Sequence, residues 1–223
     1  MEKIDLLTKL KEFKINTFYS HVAYILENYL EKWIKVHLES KMEISLSNKY
    51  LGIIVDDRPN KLLRFSVLNT LIMTRLEMKI IIFTTQNMIN QMNELFSDLI
   101  GIVEINPLKI NEFYLDKIGI ENYNKVMTSN LFWRQLTAKN ILVFQTDSLL
   151  IEPIDFSLFN YDYIGAPFSE GKYLSTKFPI FSDVDNSEIA NIWITQAFNR
   201  AEKIPDGVFQ GNGGLSIRNR DLM

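Results

Sequence analysis

There is no cysteine in this chain, and the only two histidines, His21 and His37, both lie near its start. The first absence excludes disulfides and thiolate-ligated zinc. The second leaves too few imidazoles for a histidine-built metal centre or a Ser-His-Asp arrangement, so any metal would be bound through oxygen. Basic charge is short as well. The formal net charge is −3 with both signs interspersed, which provides no stripe to neutralise a nucleic-acid backbone. Nucleic acid is not an expected partner. No stretch approaches the roughly 20 apolar residues of a membrane span, and the start, MEKIDLLTKLKEFK, carries charges where a signal peptide is apolar. A cytoplasmic protein without a transmembrane segment is the default expectation. Nine glycines and six prolines are too few for a disordered or fibrous class, and 47% hydrophobic residues supply a core. The 223 residues suit one domain, with or without an appendage.

What is present is an alternation of periods. From Ser20 to Leu38, Val22, Leu26, Tyr29, Trp33 and Val36 recur at three- and four-residue steps, predicting an amphipathic helix that packs on the following domain or on a neighbouring subunit. Residues 1–48 are thus expected to form an N-terminal helical segment, with self-association or a helix-mediated partner as one use of it. Tyr50–Val55 (YLGIIV) predicts a strand that stops at Asp56, Asp57, Arg58 and Pro59. A helix over Lys61–Glu77, a strand over Lys79–Phe83 and polar Thr84 and Thr85 follow. Next come a helix carried by Ile89, Met92, Leu95, Phe96 and Leu99, a cap at Gly101 and a strand over Ile102–Ile105. Asn122–Ala138 has helical period, and Ile141–Gln145 reads as a strand buried on both faces. Such alternation predicts an α/β, Rossmann-like, mainly parallel sheet flanked by helices. Beyond Pro153 a short strand over Tyr161–Gly165, a helix over Asn186–Ala201 and a turn at Pro205–Gly207 lead to the glycine-rich Gln210–Ser216, QGNGGLS.

Ligands of parallel sheets collect beyond the carboxyl ends of the strands, which directs attention to Asp56–Arg58, Thr84 and Gln145–Ser148. Asp147 has two readings: a hard oxygen ligand for Mg²⁺ or Mn²⁺ bridging a diphosphate, or a residue capping a turn. Asp56 and Asp57 either contact a nucleotide or are solvated turn residues, with Arg58 pairing one of them. The QGNGG stretch either offers backbone N–H groups to a phosphate or sugar, or is a plain turn; its spacing matches neither a P-loop nor a dinucleotide fingerprint. Trp133 and Arg134 either meet a ligand or belong to the core and surface of their helix.

The set Asp56-Asp57-Arg58-Pro59, Phe132-Trp133, ILVFQTDS (Ile141–Ser148), DYIGAPF (Asp162–Phe168) and GNGGLSIR (Gly211–Arg218), taken in order, resembles a glycosyltransferase-like group of the GT-A type, the nucleotide-diphospho-sugar transferase fold. The resemblance covers Leu51–Met223 and implies a GT-A-like nucleotide-sugar-binding domain over residues 49–223. It implies a glycosyltransferase moving a sugar from a nucleotide-sugar donor to a hydroxyl acceptor. The donor would be bound by Asp56, Asp57, Arg58, Thr84, Gln145 and Asp147, with Asp147 holding Mn²⁺ or Mg²⁺ where related enzymes carry two acids. Asn212, Gly213 and Gly214 would form the loop beside the sugar and acceptor. The family pattern continues past this loop, so a domain cut short at Met223 is expected and no catalytic base is assigned. The alternative is a degenerate or truncated, non-catalytic nucleotide-sugar-binding or assembly module.

Overall fold

The computed structural model describes residues 2–39, 48–110, 113–168 and 209–223. The expected helix over Asn186–Ala201 and the turn at Pro205–Gly207 lie outside these residues. One long helical rod opens the chain: α1 (Glu2–Ile25), a π turn (Leu26–Leu30) and α2 (Glu31–Glu39). It starts well before the predicted Ser20, because Thr8–His21 are all exposed and leave no buried stripe to mark the helix. The buried residues are Val22, Leu26, Leu30 and Ile34. Steps of four drift around a helix of 3.6 residues per turn, and the wider π turn takes up the drift. Tyr29 and Val36, expected inside, are exposed instead.

That stripe shares one core with Leu63, Val67, Leu68 and Leu71 of α3 (Lys61–Met73), so the N-terminal rod is packed on the sheet domain. Arg64 of α3 fixes the contact. Its Nε and Nη2 donate to Glu31 at 2.5 and 2.7 Å, and Nη1 and Nη2 donate to Asp98 at 2.9 and 2.8 Å. Pairing first with Glu31, and also with Asp98, raises the Arg64 pKa, against the opposing effect of burial.

The main sheet has six strands: β1 (Tyr50–Val55), β2 (Lys79–Thr84), β3 (Val103–Pro107), β6 (Asn140–Phe144), β7 (Tyr163–Phe168) and β8 (Phe209–Asn219). A small antiparallel pair, β4 (Lys109–Ile110) and β5 (Phe113–Tyr114), follows β3. The order in the main sheet is β3-β2-β1-β6-β8-β7. β3, β2, β1 and β6 run parallel, and β8 is antiparallel to both its neighbours. The protein is therefore α/β with a mixed sheet, four neighbouring strands parallel and the remainder built around the antiparallel β8. Alternate residues serve two cores: Leu51, Ile53 and Val55 face Phe132 and Trp133, whereas Ile54 faces α3 and the N-terminal rod.

Two predicted helices are shorter than their periodicity. α3 stops at Met73 rather than Glu77, because Arg75 and Leu76 take left-handed φ of 54° and 56° and Leu76 N returns to Leu71 O. No glycine or proline marks that stop. The Asn122–Ala138 helix is two pieces, α5 (Ile120–Met127) and α6 (Asn130–Arg134). Ser129 caps α6 by accepting from Phe132 N, and Trp133 Nε1 donates to Met127 O at 2.9 Å across the break. The helix expected after β2 is α4 (Ile89–Leu95) with a single 3₁₀ turn behind it, and Gly101 takes φ 89° before β3. Among the described residues, no helix is long and apolar enough to cross a membrane.

Candidate functional site

The strand order turns back beside β1: β2 and β3 lie on one side of it, while β6 and everything after lie on the other. At such a switch point the loops leaving adjacent strands part in opposite directions, leaving a crevice beyond their carboxyl ends. The two strands that flank it are β1 and β6, in register from Tyr50↔Asn140 to Ile53↔Val143. Asp56–Arg58 leave one and Gln145–Asp147 leave the other.

At the β1 end the expected residues divide in role. Asp56 is 5% exposed and accepts three bonds from Arg58: from its backbone N at 2.8 Å, Nε at 3.0 Å and Nη2 at 2.6 Å. The bond that the guanidinium donates to Asp56 is the main reason the Arg58 pKa is raised. Arg58 is exposed, and its Nη2 also reaches Thr146 Oγ1 at 3.2 Å, which joins the two lips of the crevice. Tyr19 of α1 lies within electrostatic reach of the same guanidinium. Asp57 points elsewhere: its Oδ2 accepts from Ile118 N at 2.8 Å and anchors the segment that leads into α5. Thr84, at the end of β2, is fully buried with Thr85, and neither hydroxyl has a hydrogen-bond partner among the described residues.

At the β6 end, Gln145–Ser148 is a tight turn closed by Ser148 N donating to Gln145 O at 3.1 Å. Ser148 Oγ accepts from Gln145 N and donates its one proton to Gln145 O at 2.9 Å or Gly214 O at 2.7 Å. The turn is braced from below by α3: Ser66 Oγ lies 3.4 Å from Thr146 O, and Asn69 exchanges two 3.0 Å bonds with the Leu150 backbone. These ties leave Asp147 at the tip, exposed and accepting no hydrogen bond from a described residue.

The glycine-rich segment is not a loop. Gln210–Ser216 lies inside β8, where Leu215 pairs with Phe144 of β6. Against β7 the register jumps from Gly165↔Ser216 to Ala166↔Asn212, so Gly213–Leu215 bulge out of that ladder. The glycines serve a bulge at the carboxyl end of β6, and Gly214 receives the Ser148 hydroxyl there. Of the expected loop trio, the backbones of Asn212 and Gly213 are thus placed in β8; the Asn212 side chain lies outside what is described.

Residues that the sequence reading did not assign complete this side. Ser216 and Arg218 alternate with Ile217 along β8, and Arg218 Nε donates to Ser216 Oγ at 3.0 Å. The Arg218 guanidinium lies over the rings of Trp133, at 5.4 Å, and Tyr163, at 5.7 Å. Trp133 is 1% exposed, so it is a platform and not a ligand-stacking ring. The Tyr123 hydroxyl is buried beside Gln145 without meeting hydrogen-bond geometry. Burial raises its pKa, with Gln145 and Arg218 opposing and Asp147 and Tyr163 adding to the rise. The two-residue alternation of a strand would have put Gly214, Ser216 and Arg218 on one face, had this stretch been read as a strand.

As a metal site the crevice offers little protein. Asp56 is taken by Arg58, Asp57 by Ile118, and among the described residues no three His, Asp or Glu side chains converge. The donor set fits a divalent ion shared between Asp147 and a bound polyphosphate, and does not fit an all-protein cage.

An α/β protein with a mixed sheet and a crevice at its switch point is the class these features define. The family model described as Protein of unknown function (DUF5672) matches residues 105–223, more than half of the chain, and the chain belongs to that family. The match takes in Gln145–Ser148, Tyr163, Gly214 and Arg218, and leaves Asp56–Arg58 outside. No curated protein matches the chain.

Proposed function

We propose that this protein is a GT-A-type glycosyltransferase that binds a nucleotide sugar in the crevice between β1 and β6. The observation that carries the reading is the convergence of Asp56–Arg58 and Gln145–Asp147 on the switch point, linked by the Arg58–Thr146 bond. The parallel half of the sheet supports a GT-A assignment, as does the ordered set of FQTDS, DYIGAP and GNGG motifs, which meet at β6, β7 and β8. In this reading Arg58 and the backbone around it face the nucleoside. Asp147 and the Gly214 bulge face the diphosphate and sugar. A divalent ion bound with the donor would offset charge on the departing nucleoside diphosphate. Asp147 would orient that ion, and the Ser148–Gly214 link would hold Asp147 in position.

A non-catalytic nucleotide-sugar-binding module is the second reading. It is favoured by a specific observation: Asp56 and Asp57 are committed to Arg58 and Ile118, so neither is free to act as a base. Thermal-shift titration of the full chain with UDP- and GDP-sugars, with and without Mn²⁺, tests the donor site. Binding should raise the melting temperature, and Asp147→Ala should abolish the Mn²⁺-dependent part of the rise. Absence of any shift with a folded sample would sink both readings. Hydrolysis or transfer of the bound sugar distinguishes the first from the second.

A further inference from the structure

Arg218 stands apart from the other arginines that are tied into the fold. Arg58, Arg64 and Arg220 each meet a carboxylate, at Asp56, at Glu31 and Asp98, and at Asp221. Arg218 meets none among the described residues, although it is half-buried. Its orientation is nevertheless fixed. Nε is held by Ser216 Oγ, and the guanidinium plane lies over Trp133 and Tyr163, whose rings restrict its rotamers. The Tyr163 ring itself lies along β7 over Gly165, where an added Cβ would come within 2.5 Å of the Tyr163 hydroxyl oxygen. A larger residue at 165 would displace the platform. What remains unused is the fork of terminal nitrogens, which donate to no described residue. Within electrostatic reach of it is the buried Tyr123 hydroxyl, which has no hydrogen-bond partner among the described residues.

A guanidinium desolvated on one side, held in one orientation and lacking a counter-ion is suited to bidentate recognition of an oxyanion. An adjacent hydroxyl can donate a further bond. Arg218 pairs with Ile141 near the start of β6, and its Nε reaches Ser216, which pairs with Val143, so the side chain runs along β8 in the direction of the carboxyl end of β6.

We propose that Arg218, oriented by Ser216, Trp133 and Tyr163 and assisted by the Tyr123 hydroxyl, forms an oxyanion subsite for phosphoryl groups. The source of the phosphoryl group, the diphosphate of a nucleotide sugar, rests on the function proposed above; the subsite itself rests on the geometry of Arg218.

The first test uses the full-length wild-type chain. An arginine-selective dicarbonyl reagent is applied, and modification of each arginine is read from peptide masses. Inorganic pyrophosphate should slow modification of Arg218 at least about tenfold and leave the exposed Arg134 unaffected. Unchanged modification of Arg218 overturns the proposal, as does protection by glucuronate in place of pyrophosphate. The second test is calorimetric titration of pyrophosphate, with and without Mg²⁺. Arg218→Gln should weaken binding at least about tenfold and Arg218→Lys should recover part of it, with the melting temperature of each variant as the folding control. Equal affinity in wild type and a folded Arg218→Gln overturns the proposal. If pyrophosphate protects Arg218 but no UDP, GDP or nucleotide sugar binds, the oxyanion subsite stands and the donor reading falls. Should nucleotides bind and leave Arg218 unprotected, the donor reading stands and the subsite falls.

Discussion

Replacing Arg58 by Met isolates the link on which the β1 lip of the crevice depends. The substitution removes the Nε–Oδ1 bond of 3.0 Å and the Nη2–Oδ2 bond of 2.6 Å, while the 2.8 Å bond from the backbone N survives. Hydrogen bonds to charged groups are worth about 1.5–3 kcal/mol each when desolvated. Arg58 is 64% exposed, so water competes for its end of the pair, and exposed ion pairs contribute only about 0–1 kcal/mol. Asp56 is different: at 5% exposed, it cannot recover solvent without moving the strand end. Weighing the two ends gives a loss of about 2 kcal/mol for Arg58→Met, or a fall in Tm of about 4–8 °C for a chain of this size. Asp56→Asn should cost about 1–2 kcal/mol, because its amide nitrogen would face the guanidinium donors. Urea unfolding of wild type, both single variants and the double variant gives the coupling between them, expected at about 1–1.5 kcal/mol. A coupling below about 0.5 kcal/mol would show that the pair behaves as an ordinary surface ion pair, and the argument from the burial of Asp56 would be wrong.

Ser148→Ala removes the hydroxyl that joins the Gln145 turn to Gly214, and should cost about 1–2 kcal/mol with faster amide exchange at Gln145; unchanged exchange would mean the turn is held by other contacts. Asp57→Ala should loosen the segment around Ile118, read as new proteolytic cleavage at residues 115–119, and leave nucleotide affinity unaltered. A tenfold or greater loss of nucleotide binding with the cleavage pattern unchanged would return Asp57 to the ligand. Stability should fall in acid through Asp98, whose pKa is lowered chiefly by its bond from Arg64, and through Glu104, lowered chiefly by Lys79. A carboxylate with a depressed folded pKa contributes stability above its unfolded value and loses it as pH falls through the folded one. The acid limb should therefore begin near the ordinary values, 3.8 for Asp98 and 4.5 for Glu104, and continue below them. Arg64→Gln should remove the Asp98 part of that limb, and superimposable acid profiles would contradict the assignment.

The parallel half of the sheet was legible because local signals and tertiary demands agree there. YLGIIV, KIIIF and ILVF are short apolar runs buried on both faces, and each is followed by a polar residue that marks the end of the apolar run. Asp56, Arg58, Thr146 and Asp147 could be gathered to one end of the sheet from that pattern alone. Where the reading failed, a long-range contact overrides a local preference. QGNGG carries every mark of a turn, yet β7 pairs with Gln210 and Asn212 and β6 with the residues that follow from Leu215, and together they keep the stretch in a strand, with a bulge at Gly213 and Gly214. Asp57 has the same local environment as Asp56, and only the approach of Ile118, 61 residues on, sends it out of the site. The sequence does not single out Arg218, because its setting depends on two rings, Trp133 and Tyr163, that reach it from α6 and β7.

The boundary of the family match bears on how the site is assembled. The matched region opens in β3 and includes β6, β7 and β8, but β6 pairs on its other side with β1, which lies outside the match. Ile141 and Val143 share their core with Leu51, Ile53 and Val55 of that strand. Without β1 they would border an open edge, with an apolar face and unpaired backbone groups exposed. The crevice divides in the same way: Asp147, Gly214 and Arg218 come from the matched region, while Asp56 and Arg58 come from before it. The Arg58–Thr146 bond crosses that division, and α3, also from before it, braces the Gln145 turn through Ser66 and Asn69. The diphosphate side of the proposed site thus belongs to the part of the chain that defines the family. The proposed nucleoside side comes from β1, a strand that the matched part needs in order to complete its sheet. If the proposed function holds, variation at Asp56–Arg58 would alter which nucleoside is accepted while leaving the Asp147 and Arg218 side intact, provided the buried acid keeps its partner.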